Sequence, residues 1–252
     1  MKNLKIIIFI LLIIFPFPVF ASYEHFKVWD MSDGLSNNTV KSITQDHLGF
    51  IWLGTFDGLC KFDGVDFTIF RHDLQDSLSI INNHVEVVAS VRDELWVGTK
   101  QGLNLYSYKE NNFRLCEWIL PTGERQKITE SIKNIVVNQG NVFVLTFSHE
   151  LLVRKKGCVF EPCDYKKNIE WLSISGYKEG LLIGHATDGL YVIDPDEMGI
   201  RAHFPFDSKI LSDCLYYSAN KDMIFLGFGI CYPSLAFRMN KENSLEKVEV
   251  RI

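Results

Sequence analysis

Trp52-Leu53-Gly54-Thr55-Phe56-Asp57-Gly58-Leu59 recurs as Trp96-Val97-Gly98-Thr99-Lys100-Gln101-Gly102-Leu103, 44 residues further along the chain. A period of that length, carried by strand formers and glycine turns, is the signature of a β-propeller built from one four-stranded blade per repeat. Around the first copy the sequence divides into four short strands: Thr39 to Asp46, Phe50 to Thr55, Leu59 to Asp63 and Phe67 to Arg71. Turn chemistry separates them at His47-Leu48-Gly49, Phe56-Asp57-Gly58 and Gly64-Val65-Asp66. Glycine in such turns supplies a positive φ without a Cβ clash. Phe50-Ile51-Trp52-Leu53 is apolar at every position rather than at alternate ones. A strand covered on both faces by neighbouring sheets requires that pattern.

The frame continues with drift. Phe143-Val144-Leu145-Thr146 stands at the tryptophan position of a third repeat, Leu182-Ile183-Gly184 with Asp188-Gly189-Leu190 marks a fourth, and Phe225-Leu226-Gly227 a fifth. The expected fold is all-β, a propeller of about five blades, with repeats spanning roughly 35–76, 77–120, 121–164, 165–208 and 209–252. No 3.6-residue periodicity is long enough to predict a helix.

Residues 1–21 read as a secretory signal peptide: a basic head with Lys2 and Lys5, an apolar run from Ile6 to Phe15, prolines at 16 and 18, and Val19-Phe20-Ala21 before a cleavage site. The run is shorter than the roughly 20 residues of a spanning helix, which argues against an uncleaved anchor. The expected location is the periplasm, with residues 22–252 forming the propeller. The formal net charge is −5, and the leader carries lysines but no acid, so the remainder is more acidic still. Such a chain has no electrostatic reason to bind nucleic acid or an anionic membrane surface. Six cysteines (Cys60, Cys116, Cys158, Cys163, Cys214, Cys231) follow the leader. An oxidising compartment permits disulfides, and Cys158 and Cys163, which flank a plausible hairpin turn, form the best candidate pair. The alternative is that all six are small buried hydrophobes.

Trp52, Gly54, Thr55, Gly58, Trp96, Gly98, Thr99 and Gly102 form the repeat motif, and the two tryptophans are expected in the core between blades. For recognition, a second recurrence is the best lead. Asn37-Asn38-Thr39-Val40 returns as Asn82-Asn83-His84-Val85, in each case just before the innermost strand of a blade. Amide side chains both donate and accept, which suits sugar hydroxyls, and Trp29 or Tyr23 could add an aromatic face. The competing reading is that these asparagines cap the turn leading into the strand. The seven histidines are scattered, no nucleophile elbow or phosphate-cradling loop occurs, and acids such as Asp57, Asp63, Asp66 and Asp188 sit beside turn glycines. No catalytic residue, metal ligand or cofactor is assigned.

Asn38-Thr39-Val40, Ile43-Thr44-Gln45-Asp46, Gly49, Ile51-Trp52-Leu53-Gly54-Thr55, Asp57-Gly58-Leu59 and Phe62-Asp63 together resemble the two-component regulator propeller repeat. Trp29-Asp30 and Asp33-Gly34-Leu35-Ser36 resemble the lead-in to its first blade. The resemblance implies seven-bladed periplasmic propellers, the sensor region of hybrid two-component histidine kinases in polysaccharide-degrading Gram-negative bacteria. There they respond to oligosaccharides and drive transcription of utilisation genes. Five repeats then imply an open arc of a seven-bladed ring, a closed five-bladed ring being the alternative. With no kinase, receiver or DNA-binding module in the chain, the expectation is a non-enzymatic, N-terminal portion of a sensor. Its expected partners are an oligosaccharide and either the remaining sensor polypeptide or a second copy. A propeller lyase or glycosidase and a generic protein-interaction propeller are the rival readings.

Overall fold

The computed structural model describes residues 27–248, apart from 121, 164–168, 198, 207–213, 228–234 and 241–244. The expected leader, Tyr23 and Cys231 lie outside the described residues.

Among the described residues, five sheets, antiparallel except for one strand pair in the third, follow one another along the chain. The first is β1 (Val40–Gln45), β2 (Ile51–Thr55), β3 (Gly58–Phe62) and β4 (Phe67–Phe70); the second is β5 (Val85–Val91), β6 (Glu94–Thr99), β7 (Gly102–Ser107) and β8 (Asn112–Leu115). A hairpin of β9 (Glu117–Ile119) and β10 (Arg125–Lys127) links them to β11 (Ile132–Asn138), β12 (Asn141–Thr146), β13 (Leu151–Lys156) and β14 (Val159–Pro162). The fourth sheet is β15 (Trp171–Gly176), β16 (Leu182–Ala186), β17 (Gly189–Asp194) and β18 (Gly199–Pro205); the fifth is β19 (Cys214–Ser218), β20 (Met223–Gly227), β21 (Leu235–Met239) and β22 (Leu245–Val248). The first strands β1, β5, β11, β15 and β19 stand side by side in chain order, so the sheets radiate from a common axis as propeller blades. Among the described residues the only helical turns are two 3-10 turns, Met31–Asp33 and Lys178–Gly180. The third blade departs from the four-strand pattern: β9 adds in parallel to the outer edge of β14, giving six strands. The arc is open, and its first blade leaves Val40 (39%) and Ile43 (65%) exposed.

The core lies at the seams. Four apolar clusters each join one blade to the next, the first around Trp52, Val85 and Tyr106, the second around Trp96, Ile132 and Phe160. Trp52 and Trp96 are fully buried. Trp52 packs on Phe70 at 5.6 Å and on Tyr106 of the next blade at 5.1 Å between ring centroids. Fully burying a side chain of this class stabilises by roughly 1.5–3 kcal/mol, so the seams carry much of the fold.

The repeat residues have distinct physical tasks. Thr55 Oγ1 donates to the Gly58 carbonyl at 2.9 Å and accepts from the Asp57 amide at 3.1 Å; Thr99 repeats this with Gly102 at 3.0 Å and Gln101 at 3.2 Å. Gly58 (φ +116°) and Gly102 (φ +136°) take the left-handed conformation that closes these turns. Gly54 and Gly98 serve close approach instead. A Cβ on Gly54 would stand 2.7 Å from Val85 Cγ1, and one on Gly98 would stand 2.7 Å from both Ile132 Cγ2 and Val87 Cγ1. Each glycine is a notch that receives the first residue of the next blade's inner strand.

Register corrects the alignment of the fourth repeat. Val40 pairs with Thr55 and Ser42 with Gly54; correspondingly Trp171 pairs with Ala186 and Ser173 with His185. The equivalent of Gly54 is therefore the buried His185, and the equivalent of Trp52 is Ile183, one residue away from the Leu182-Ile183-Gly184 frame expected from sequence. Side chains alternate between faces, so a slip of one residue exchanges the faces. In the third blade Leu145 fills the notch position, pairing with Asn134 as Gly54 pairs with Ser42.

The candidate Cys158–Cys163 disulfide does not form. Cys158 is a free thiol. Cys158 itself sits in the hairpin turn with Gly157, and the two cysteines flank the strand β14 rather than a turn. An extended strand rises about 3.3 Å per residue, which separates its ends far beyond bridging distance.

Candidate functional site at the axial rim

Both asparagine pairs come to the same end of the first two blades, beside the turns closed by Thr55 and Thr99. Their amide oxygens are occupied by backbone donors. Asn37 Oδ1 accepts from the Thr39 amide and Asn82 Oδ1 from the His84 amide, each at 2.8 Å and two residues ahead. This is the Asx turn that asparagine forms before a strand. Asn38 Oδ1 accepts from the Met31 amide at 3.0 Å and Asn83 Oδ1 from the His72 amide at 2.6 Å, tying down the segments that lead into each blade. Trp29 does not join them. It packs edge-on against Phe62 at 4.8 Å and Phe67 at 5.8 Å, at the β3–β4 turn, the opposite end of the blade from Thr55 and Gly58. Lys27 Nζ covers its ring at 3.5 Å.

The same rim carries a set of residues that sequence reasoning missed. Each of the first four inner strands has a register shift at its second residue: Lys41, Glu86, Lys133 and Leu172 are the extra residues. A bulge of this kind bends the strand and re-aims the side chain it carries. Around the arc these positions read cation, anion, cation, apolar. Lys41 Nζ lies 3.3 Å from Glu86 Oε2, and His84 Nε2 lies 3.1 Å from Glu86 Oε1. Burial lowers the pKa of His84, and Lys100 and Lys41 add to this; together they outweigh the pull of Glu86, which favours the proton. His84 is thus held neutral in the folded state near pH 7. Phe56 packs against His84 with ring centroids 4.2 Å apart and the planes tilted by 40°, and remains 43% exposed; Phe147, at the equivalent turn of the third blade, is 49% exposed. Lys41 and Lys133 each lie within 6 Å of one of these rings, Lys41 over Phe56 and Lys133 over Phe147. The rim therefore offers two aromatic faces beside paired cations and a carboxylate. Such a surface can stack on an apolar face and hydrogen-bond to hydroxyls.

The opposite end of the first blade is structural. Asp46, at the β1–β2 turn, accepts from the Trp52 indole at 2.7 Å, the Leu48 amide at 2.9 Å and the Phe50 amide at 3.0 Å. Burial would raise its pKa, but these donors outweigh it and hold the carboxyl below its usual range. The second blade lacks this support. Val91 takes the place of Asp46, and the buried Trp96 indole nitrogen has no hydrogen-bond partner.

A shallow groove between the fourth and fifth blades is lined by Tyr177, Lys178, Val192, Arg201 and Met239. Its cations are engaged, Lys178 with Asp222 and Arg201 with Asp194, each at 2.6 Å. Among the described residues, no three His, Cys, Asp or Glu side chains form a set that could hold a metal ion, and no helix is long and apolar enough to cross a membrane.

Residues 34–57 match the family model described as "Two component regulator propeller". A histidine kinase P4 of Formosa agariphila is 51% identical over 55 residues, which is 22% of this chain and 4% of that protein. The extracellular domain of a hybrid two-component system of B. thetaiotaomicron aligns with a TM-score of 0.66 at 23% identity, over 87% of this chain and 31% of that one. A second extracellular domain from B. thetaiotaomicron, of a one-component system, gives 0.64 at 16% identity, over 90% and 33%. The WD40 domain of Neurospora crassa Pan2 gives 0.53 at 12% identity, over 82% of this chain and 64% of that one. These likenesses establish the propeller fold. The chain spans about a third of the bacterial solved domains and a small fraction of the curated kinase. Residues 34–57 carry the two-component regulator propeller repeat that the sequence resembled.

Proposed function

We propose that this two-component regulator propeller is the sensing portion of an exported signalling protein. It recognises an oligosaccharide at the axial rim and transmits binding as a change in blade packing, without catalysis. The repeat between residues 34 and 57 supports the regulator reading. For the ligand, the observation that carries most weight is the pairing of exposed Phe56 and Phe147 with the bulge residues Lys41, Glu86 and Lys133. Pyranose rings present an apolar face and a hydroxyl edge, and this rim answers both. The apolar residues open on the first blade await the rest of the sensor polypeptide, which would complete the ring, or a second copy. The basic head and apolar run of residues 1–15, with the likeness to extracellular domains, support export and a periplasmic location.

A thermal-shift screen of the purified protein against neutral and acidic oligosaccharides tests this. A subset of sugars should raise the melting temperature, and Phe56→Ala with Phe147→Ala should abolish the shift while the protein still melts cooperatively. No shift with any sugar would refute ligand sensing at the rim. Chain-length analysis of the same sugars after incubation separates the rivals, because shortened products would establish an enzyme.

A further inference from the structure

We infer that Cys116 and Cys158 are a redox pair, forming a disulfide that fastens the outer edge of the second blade to that of the third. Strands β9 and β14 run parallel, with Glu117 opposite Val159 and Trp118 opposite Phe160. The Glu117 amide donates to the Cys158 carbonyl at 2.9 Å. The residues one step earlier, Cys116 and Cys158, thus lie side by side, their side chains on one side of the sheet. Paired strands stand about 4.8 Å apart, inside the range of roughly 4.4–6.8 Å between Cα atoms that a disulfide spans. Cys116 is fully buried and Cys158 packs against it beside Trp96 and Phe160. The register and the shared cluster make the two thiols neighbours across this strand pair.

The pair is unequal in a way that suits exchange chemistry. The contact with Cys116 lowers the pKa of Cys158 and outweighs its burial, with the Arg114 and Arg154 guanidinium groups adding to the effect. Burial pushes the Cys116 thiol well up. Cys158, half-exposed, is therefore the attacking thiolate and Cys116 the resolving thiol. The oxidant is a disulfide, either a small one such as oxidised glutathione or a protein one. The Cys158 thiolate attacks one of its sulfurs, breaking the S–S bond and releasing one thiol as a mixed disulfide forms. Cys116 then attacks the Cys158 sulfur, its proton passing to the second departing thiol. Two electrons and two protons leave the cysteines, and the oxidant becomes two thiols. Because Cys116 follows β8 and Cys158 precedes β14, the bond crosses a seam and ties one blade to its neighbour.

The test uses the whole protein in solution, so it is independent of where the chain resides and of what the rim binds. The protein is incubated with oxidised glutathione, denatured, alkylated and mapped by mass spectrometry. A cross-linked peptide pair containing Cys116 and Cys158, two hydrogens lighter than the sum of its parts, is expected, together with a melting temperature about 5–10 °C above that of the reduced protein. Cys158→Ser, at the more exposed position, should lose both the cross-link and the redox dependence of melting while still folding. Full alkylation of Cys116 and Cys158 after oxidation, or a cross-link that maps to another pair, would overturn the inference.

Discussion

Replacing Gly98 with alanine should destabilise the seam between the second and third blades by about 1–3 kcal/mol, the range for forcing an extra carbon into a packed core. The added Cβ would stand 2.7 Å from two methyl carbons and 2.8 Å from Ile132 Cβ, where ordinary contact begins at 3.4 Å. Several tenths of an ångström must therefore be recovered at three contacts. The backbone of Gly98 cannot supply this, because β6 is hydrogen-bonded on one side to β5 and on the other to β7. The strain passes to Ile132 at the bulge of β11, and so to the position of the whole third blade. Urea unfolding followed by tryptophan fluorescence measures the cost. Gly199→Ala is the control: it lies at the start of β18 with only a carbonyl oxygen at 3.9 Å, and should change stability by less than about 1 kcal/mol. Combining Gly98→Ala with Ile132→Ala should cost less than the sum of the two, because the smaller residue vacates the contested space. An unchanged midpoint for Gly98→Ala, or strict additivity in the double variant, would refute the notch.

Trp52→Phe should cost about 1–3 kcal/mol more than Trp96→Phe, because it strands the buried Asp46 carboxylate whereas the Trp96 indole has no bond to lose; paired melts measure the difference. Trp52→Ala should cost on the order of 3–5 kcal/mol through the cavity it leaves. Stability should decline with acid in two windows. His84 has a lowered pKa when folded, so the unfolded chain takes up its proton first, and its contribution, whole above about pH 6.5, is lost as pH falls through that value toward the folded one. Asp46, also lowered when folded, contributes fully above its unfolded value near 3.9, about where ordinary aspartates titrate, and that contribution is lost as pH falls through its folded value. Urea midpoints between neutral and acid pH follow both, and His84→Asn should flatten only the upper window. Asn38→Ala with Asn83→Ala should lower stability by about 1 kcal/mol per site through the two backbone amides released; a melt identical to the parent would show that these side chains do not secure the lead-in segments.

The strands and turns were legible because their causes are local. Apolar runs with glycine or aspartate breaks sit within a few residues of one another, and the strands of the first blade begin and end within one residue of where those signals place them. Features that depend on pairing across the chain were not legible. Nothing in Val40-Lys41-Ser42 marks Lys41 as the extra residue of a bulge; the shift exists only relative to β2. Gly184 looks like the notch glycine of the earlier repeats, yet the ladder gives that place to His185. The short polar strand β10 lacks any strand signature, and its partner β9 pairs with a segment some forty residues away. The asparagines show the opposite difficulty: their local role was readable, but the rim is completed by Phe56, which packs its turn against His84 of the next repeat, and by Lys133, two repeats on from Asn37 and Asn38.

The notches also make the blades non-interchangeable. Gly54 and Gly98 receive Val85 and Ile132, whereas beyond the third blade Leu145 packs in a cluster with Trp171. A chimaera carrying the second blade in place of the third would set a hollow against an indole and leave a void; the reverse swap would drive Ile132 into a recess cut for Val85 and set Leu145 where a glycine stood. Shape alone thereby dictates the order in which these modules can be strung, and a newly duplicated module would need to be recut on both flanks before it could be admitted.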